Sequence, residues 1–113
     1  MQCIFCEIAE KKLKTHLIYE DSDTVAFKDI NPQAPIHILI IPKKHIPSLQ
    51  ETVQIDANVL SSLMLAARNI ATSQQCHDKG YRIVINTGED GGQTVSHLHL
   101  HFLAGKQLSW PPG

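Results

Sequence analysis

The stretch HLHLHFL, from His97 to Leu103, decides how this chain folds. Histidine and leucine alternate along it, and alternation with a period of two is typical of a β-strand. The leucines, including Leu103, are expected to face a core, while the three imidazoles share the opposite face. Imidazoles titrate near neutral pH and serve as nucleophiles, acid–base groups or metal ligands, so this face predicts chemistry. The alternative is a polar strand face that happens to be rich in histidine.

Outside this stretch, the apolar pattern predicts an α+β fold with a mostly antiparallel sheet. A short helix is expected over residues 5–12, and a long one from Asp56, a good N-cap, to about Cys76, with Gly80 just beyond its end. Short connections favour antiparallel neighbours among the predicted strands, which cover residues 17–20, 24–28, 37–41, 81–86 and 96–103. The buried stripe of the long helix is expected to contain Val59, Leu60, Leu63, Met64, Ala67, Ile70 and Ala71.

Length and composition restrict the class of protein. The 113 residues fit a single domain, and 42% hydrophobic with 19% charged residues is typical of a soluble globular chain. A net charge of −1 gives no general attraction to nucleic acid or to an anionic membrane. No apolar run approaches the roughly 20 residues of a membrane helix. The first residues lack the features of a signal peptide, so a cytoplasmic location is expected.

The three cysteines favour a reducing compartment, because an odd number fits a secreted disulfide framework poorly. Cys3 and Cys6 have the spacing of two thiolates at a tetrahedral zinc ion. His45 and one histidine of the predicted strand are the natural candidates for the other two ligands. Two alternatives stay open, namely incidental reduced thiols and a redox pair. Cys76 is expected to be an ordinary buried thiol.

The central imidazole, His99, is the best candidate for a nucleophile. Attack through one ring nitrogen requires that the other donate to a fixed acceptor such as a backbone carbonyl. His101 would then contact a phosphoryl oxygen or assist proton transfer. The preceding glycine-rich segment 88–96 offers backbone amides, with the hydroxyls of Thr94 and Ser96, to a ligand oxygen. Alternatively, this segment is only a flexible turn.

Several segments together resemble the histidine triad (HIT) superfamily, and in particular its Hint branch of nucleotide-binding proteins. The stretch at 97–103 matches the superfamily motif, His-x-His-x-His followed by two apolar residues. The resemblance extends to FKDINPQAPIH at 27–37, IPKKHI at 41–46, GGQTV at 91–95 and WPPG at 110–113. It covers essentially the whole chain, and the combination of motifs is highly specific.

The resemblance implies a HIT-like fold with a five-stranded antiparallel sheet, one long and one short helix, and a sheet that continues across a homodimer. It implies binding of purine nucleotides such as AMP and GMP, and hydrolysis of their phosphoramidates through a nucleotidyl-histidine intermediate. No organic cofactor and no nucleic-acid or membrane partner is expected. Two other functions stay open. One is a dinucleoside polyphosphate hydrolase of the same superfamily, although the ending WPPG argues against it. The other is a dimeric nucleotide-binding scaffold with incidental turnover.

The resemblance also assigns roles to residues. His99 would be the nucleophile, His101 and Thr94 would contact the α-phosphate, and His37 would support the histidine cluster. Asp29 would bind the ribose hydroxyls, or else only cap a turn. Residues carried over for substrate binding are Asn86 and Gln93 near the phosphate, Trp110 near the leaving group, and Ile4, Phe5, Ile8, Phe27 and Ile30 around the base. Phe27 and Ile30 could equally be core residues, and Trp110 a dimer contact.

In two respects the chain departs from many Hint proteins. Its cysteine pair is that of zinc-binding members, for which the resemblance names Cys3, Cys6, His45 and His97 as structural ligands. Without zinc, His45 and His97 would instead join a hydrogen-bonded chain with other histidines. Thr94 stands where the branch typically has serine, so the hydroxyl is kept and the added methyl group is expected to tune the rate.

Overall fold

A computed structural model describes residues 3–113, which form one five-stranded antiparallel sheet with a helix on each face. The strands are β1 (Tyr19–Glu20), β2 (Thr24–Lys28), β3 (Ile36–Pro42), β4 (Tyr81–Val84) and β5 (Leu100–Ala104), in the order β1-β2-β3-β5-β4. The helices are α1 (Ile4–Ala9) and α2 (Ala57–Ser73), with short 3-10 turns at Leu49–Glu51 and Gln54–Asp56. The predicted α+β class and the antiparallel sheet are confirmed.

The larger core lies between α2 and one face of the sheet. Leu63, Ala66 and Ile70 of α2 pack there against alternate residues of β3 and β5, including Ile40 and Phe102. The predicted stripe of α2 is therefore largely correct. Met64 is the exception, because half of its surface is exposed and the prediction that it belongs to the core is wrong.

The smaller core lies on the opposite face, under α1. Phe5 and Ile8 pack there against Phe27, Leu39 and other apolar residues of β2 and β3. Cys3 caps α1, since its sulfur accepts the backbone N–H of Cys6 at 3.2 Å. A helix of six residues is too short to be stable alone, so its position depends on this packing.

The boundaries of both helices differ from those predicted. Helix α1 stops at Ala9, and Lys11 then takes a positive φ of 61°. Helix α2 ends three residues before Cys76, and Gln75 then adopts the left-handed conformation at φ 58° that often terminates a helix. At the other end, Asp56 occupies the N-cap position without capping α2 through its side chain.

The carboxylate of Asp56 instead closes the turn before α2. It accepts the Val53 N–H at 2.9 Å and the Lys44 ammonium at 2.7 Å. These two contacts, led by Lys44, hold the pKa of the Asp56 carboxyl below its usual range. The residue type predicted the start of the helix, although the side chain makes different bonds from those of a helix cap.

The histidine strand is shorter than the alternating pattern predicts. Strand β5 begins at Leu100, so His97 and His99 precede it and only His101 lies within it. The ladder with β3 ends at the pair Ile40–Leu100. The Leu98 N–H bonds instead to the Ile46 carbonyl at 2.6 Å.

Side chains still alternate in direction through this segment. Leu98, Leu100 and Phe102 point into the core under α2, as expected for the leucines. Leu103 lies two residues after His101, on the histidine face of the sheet, and is only partly buried. The prediction that Leu103 faces the core with the other leucines is wrong, and Phe102 fills that position.

Candidate active site and metal centre

His99 is held in one orientation on the α1 face of the sheet. Its ring is 5% exposed and meets the ring of Phe5 edge-on, with 5.2 Å between centroids. Its Nδ1 lies 2.7 Å from the backbone carbonyl of His97, and a carbonyl only accepts, so Nδ1 carries the proton. The neutral ring therefore keeps its lone pair on Nε2. This is the arrangement that a nucleophilic imidazole requires.

His101 and His37 form a hydrogen-bonded pair of imidazoles beside His99. The backbone N–H of Gln33 donates to Nδ1 of His37 at 2.9 Å, which places the proton of neutral His37 on Nε2. That Nε2–H donates to Nδ1 of His101, also at 2.9 Å. The proton of neutral His101 is consequently on its own Nε2, where it remains available as a donor.

Burial keeps these two rings neutral. Removal from water disfavours the charged imidazolium and lowers the pKa of His37, an effect that the nearby Asp29 carboxylate opposes. Burial likewise lowers the pKa of His101, with further lowering from His99 and His37 and a smaller opposing contribution from Asp29. The direction of the hydrogen bond between these two neutral rings is therefore set by the groups around them, and not by a charge on either ring.

Asp29 contacts this pair through one oxygen and a turn through the other. Its Oδ1 accepts the Asn31 N–H at 2.8 Å, which is the turn-capping contact considered for this residue. Its Oδ2 lies 3.4 Å from Nε2 of His37, and the Asp29 side chain is 18% exposed. Among residues 3–113, no lysine or arginine forms an ion pair with Asp29.

Four predicted metal ligands converge at the edge of the α1 face. The Sγ atoms of Cys3 and Cys6 and the Nδ1 atoms of His45 and His97 lie 3.2–3.6 Å from one another in all six pairs. In tetrahedral zinc, bonds of about 2.3 Å to sulfur and about 2.0–2.1 Å to nitrogen separate the ligand atoms by about 3.3–3.8 Å. The cluster therefore fits a tetrahedral ion and could bind a metal.

The protonation of His97 agrees with this geometry. Its Nε2 lies 2.9 Å from the Pro42 carbonyl and must donate to it, so Nδ1 presents a lone pair to the cluster. A carbonyl behind a histidine ligand is the usual way to fix the ring of a metal-binding histidine. Burial, followed by the hydrogen bond with Cys3, raises the pKa of the Cys6 thiol.

The glycine-rich segment is held by its own side chains. The amide of Gln93 donates to the carbonyls of Pro47 at 2.7 Å and Val95 at 2.9 Å, and accepts the Gly88 N–H at 3.1 Å. All its hydrogen-bonding groups are therefore engaged, and Gln93 shapes the loop. Asn86 similarly donates to the Gly91 carbonyl at 2.6 Å. Thr94 is exposed, and its hydroxyl bonds to no other group within residues 3–113.

The apolar residues predicted around a base are not gathered into one enclosed slot. Phe5, Ile8 and Phe27 are buried in the smaller core, in keeping with the core interpretation of Phe27. Ile4 and Ile30 lie outside it, and Ile30 is fully exposed, so it is not a core residue.

Trp110 lies against β4. It is 79% exposed, and the Arg82 guanidinium lies 6.0 Å from its ring centroid. Within residues 3–113 of one chain it makes no hydrogen bond or ring contact with the histidines.

Two backbone groups of the site were not identified from the sequence. The Gln33 N–H sets the tautomer of His37, and the Pro42 carbonyl sets that of His97. Both residues lie in segments that carry the family resemblance. Side-chain patterns give no signal for such groups, because every residue other than proline offers the same N–H and carbonyl.

The fold and the site define a class of small α+β proteins with imidazoles clustered at the start of a central strand. The HIT domain family model matches residues 10–108, and the chain belongs to this family. It is 46% identical over 110 residues, 97% of this chain and 96% of the relative, to an uncharacterized HIT-like protein of Synechocystis. The predicted superfamily is therefore confirmed.

Solved structures agree with this assignment. A HIT family hydrolase from Legionella pneumophila superimposes with a TM-score of 0.95 at 43% identity, covering 99% of this chain and 100% of that one. A histidine triad nucleotide-binding protein from Candida albicans gives a TM-score of 0.82 at 28% identity, covering 99% and 85%. No helix within residues 3–113 has the length and apolar character to cross a membrane.

Proposed function

We propose that this chain, as a single HIT domain over residues 1–113, hydrolyses purine nucleoside phosphoramidates of the AMP–amine type. The observation that carries the proposal is the orientation of His99, whose Nδ1 is bound to a carbonyl and whose Nε2 holds a lone pair. The ring of His101 lies beside it, with 5.1 Å between centroids, and presents an Nε2–H. A nucleophile next to a neutral donor suits attack on a phosphoryl group.

The reaction would proceed in two displacements. Nε2 of His99 attacks phosphorus, the P–N bond to the amine breaks, and the amine leaves with the electron pair and takes a proton from solvent. His101 and the Thr94 hydroxyl donate to phosphoryl oxygens on which negative charge develops. Water then attacks the same phosphorus and loses a proton to solvent, the bond to His99 breaks, and the nucleotide leaves with the neutral imidazole regenerated.

The remaining assignments complete the substrate site. Asp29 would accept the ribose hydroxyls, since its carboxylate is partly exposed and has no lysine or arginine partner in residues 3–113. Asn86 and Gln93 would act through the loop that they hold, and this loop would present backbone amides to the phosphate. Phe5, Ile8 and Phe27 would support the base from the core, with Ile4 and Ile30 at its exposed edge.

The cluster of Cys3, Cys6, His45 and His97 would hold a structural zinc ion. When bound, zinc supplies a tetrahedral crosslink and takes no part in the displacement. Because His97 precedes His99 by two residues, the crosslink would hold the carbonyl that orients the nucleophile. Metal analysis of protein purified without chelator should give one zinc per chain, and substoichiometric metal would contradict a four-ligand zinc site.

A cytoplasmic homodimer completes the proposal. The strand β4 lies at one edge of the sheet, so a second copy could extend the sheet there. In such a dimer the exposed Trp110, which lies against Arg82 of β4, would reach the neighbouring site and shape the leaving-group pocket. Sedimentation of the wild-type chain should show twice the chain mass, and a monomer at micromolar concentration would contradict this part.

Trapping a nucleotidyl adduct tests the proposed activity directly. Acid quench of the enzyme during turnover of an AMP–amine, followed by peptide mass mapping, should place the nucleotidyl group on His99. An adduct on another residue would contradict the assigned nucleophile. Faster turnover of diadenosine polyphosphate than of the AMP–amine would favour the other enzymatic branch, and binding of AMP without any adduct would favour a scaffold.

A further inference from the structure

Gly105, which follows β5 directly, lies against Pro35, the residue before β3. Ile36 and Ala104 are partners in the ladder, so Pro35 and Gly105 occupy the next position along the same two strands. Gly105 has a φ of +96°, and a Cβ atom placed on it would lie 2.8 Å from Cβ and 3.3 Å from Cγ of Pro35. The proline can approach this closely only because the opposite residue has no side chain.

Pro35 ends the loop that gives His37 its hydrogen-bond donor. At the base of this loop the Asp29 N–H donates to the His37 carbonyl at 3.0 Å, and nearer its end the Gln33 N–H donates to Nδ1 of His37 at 2.9 Å. Only Ala34, which is buried, separates Gln33 from the rigid ring of Pro35. The position of the Gln33 N–H therefore depends on where Pro35 lies.

The Gln33 N–H decides in which direction the hydrogen bond between His37 and His101 runs. While it donates to Nδ1 of His37, the proton of that ring is on Nε2 and points to Nδ1 of His101, so His101 keeps its own proton on Nε2. If the Gln33 N–H withdrew, both rings could carry their protons on Nδ1, and His101 would become the donor. Its Nε2 would then present a lone pair, which cannot donate to a phosphoryl oxygen.

We propose that Gly105 is a positioning residue that fixes the tautomer of His101 through the loop before β3. Its contact with Pro35 sets the position of the loop, and the loop in turn holds the Gln33 N–H against His37. This inference rests on the proposed function, in which His101 donates to phosphoryl oxygens. Gly105 acts through the loop and not through contact with the substrate.

A methyl group at position 105 would move the loop far enough to matter. Carbon atoms make favourable contact at about 3.5–4.0 Å, so the new Cβ and that of Pro35, at 2.8 Å, would have to separate by about 0.7 Å. Ala104 is paired with Ile36 on one side and Tyr81 on the other, whereas Pro35 has no N–H to hold its place, so the loop is the part that moves. A hydrogen bond of 2.9 Å that lengthens by this amount is lost.

Gly80 is the matched control for a substitution at Gly105. Its φ is +104°, but nothing lies within 4 Å of the position that a Cβ atom would take. Gly80→Ala therefore introduces the same kind of backbone strain without contact with a loop. The test variants are Gly105→Ala, Pro35→Gly and the two combined. Pro35→Gly removes the atoms that the methyl group would meet, and the next atom, the Ile36 nitrogen, is at an ordinary contact distance of 3.5 Å.

Imidazole 15N NMR of the free proteins measures the tautomer of His101, whose signals are assigned by their absence from His101→Gln. Wild type and Gly80→Ala should show the Nε2–H form. Gly105→Ala should show the shifts of a mixture with the Nδ1–H form. Pro35→Gly removes the same contact from the other side, so it should also show a mixture and remains informative if Gly105→Ala fails to fold.

The double variant should lie nearer to wild type than either single variant, because the methyl group refills the contact. A mixture in wild type, or the Nε2–H form alone in both single variants, would overturn the inference. So would a mixture in Gly80→Ala equal to that in Gly105→Ala, since backbone strain would then be the cause.

Steady-state kinetics with an AMP–amine separate this inference from the proposed activity. Gly105→Ala should lower kcat by about two- to tenfold, the equivalent of one hydrogen bond, and Gly80→Ala should not. The loss should appear in kcat more than in KM, because the missing interaction is one made in the transition state. A changed tautomer with an unchanged kcat would overturn the positioning role. A wild type without turnover would contradict the proposed function, whereas the NMR result would still decide whether Gly105 fixes the tautomer.

Discussion

Two clusters on the same face of the sheet use histidine in opposite ways. In the metal-type cluster of Cys3, Cys6, His45 and His97, two sulfur atoms and two Nδ1 atoms converge to within 3.2–3.6 Å of one another. In the His37–His101 pair, donor and acceptor alternate from the Gln33 N–H onward. The first arrangement fits a tetrahedral cation, and the second is an ordered chain of hydrogen bonds.

The difference comes from the partner on the far side of each ring. A carbonyl behind His97 forces its lone pair inward, whereas a backbone N–H behind His37 forces its proton inward. Position in the sequence therefore does not determine the role of a histidine. The hydrogen-bonding group behind the ring determines whether it presents a lone pair or a proton.

The largest expected effect is at His99, which lies between the two clusters. His99→Ala should reduce turnover of an AMP–amine by at least about a thousandfold, since the nucleophile itself is lost. Metal content and AMP binding should be preserved, because neither cluster includes this ring. Steady-state kinetics with metal analysis check this, and substantial turnover by the variant would remove His99 as the nucleophile.

The second largest effect is expected on stability, when the metal-type cluster loses its cysteines. The double variant Cys3→Ser, Cys6→Ser should lose its metal, and with it about 2.7 kcal/mol if wild type is measured at a hundredfold excess of metal over Kd. For a domain of this size the loss corresponds to a fall in Tm of about 10 °C or more.

The free cysteine Cys76 is the control for this experiment. It is buried on the α2 side, outside the cluster, so Cys76→Ser should retain the metal. Thermal melts with and without added zinc separate the two effects. A melting temperature of the double variant that still rises with zinc as in wild type would show that the ion binds elsewhere.

The hydrogen-bonded pair should make stability depend on pH. Burial lowers the pKa of His37 and of His101 in the folded chain, so below about pH 6.5 the unfolded chain binds protons that the folded chain excludes. Stability is therefore retained at neutral pH and falls as the pH drops below the unfolded value.

Melting temperatures from pH 7.5 to 5.5 measure this dependence. His101→Gln should flatten the decline relative to wild type in the same buffers, whereas a substitution of the exposed His16 by Asn should not. Identical slopes for wild type and His101→Gln would mean that the pair does not stay neutral on folding.

The smallest expected effect concerns the hydroxyl that would assist His101. Thr94→Ser should keep kcat within about threefold, while Thr94→Ala should lower it by about five- to tenfold through loss of one hydrogen bond. Steady-state kinetics at saturating AMP–amine compare the two variants. An equal loss in both would indicate that the methyl group, and not the hydroxyl, matters at this position.

Much of the fold could be predicted because alternation and helical periodicity report burial. The strand at 24–28 was predicted with its observed limits, and the α2 stripe is correct except at Met64. The prediction for Met64 failed because a helical period of 3.6 residues does not define how wide the buried stripe is. The start of β5 was misplaced because alternation continues through His97 and His99, while the ladder with β3 ends at the pair Ile40–Leu100.

The four residues of the metal-type cluster could be predicted, because Cys3 and Cys6 have the spacing of zinc ligands and the family resemblance implies His45 and His97 as the other two. The ring nitrogen that carries the proton in each histidine could be predicted from the sequence only in part. A carbonyl partner for His99 followed from the chemistry of a nucleophile, but its identity as the His97 carbonyl did not. Gln93 is a similar case. A glutamine in this loop could contact a ligand, but its amide bonds to backbone groups of the chain and holds the loop.

The position of Cys3 has a consequence for how the chain assembles. Its sulfur meets His97 across 94 positions of sequence, so contacts at α1 close a loop around most of the protein. Such a loop is entropically costly to form early, and helix α1 is too short to persist alone. We therefore expect α1 to dock last, with the sheet already in place. Hydrogen exchange should then find α1 to be the least protected helix.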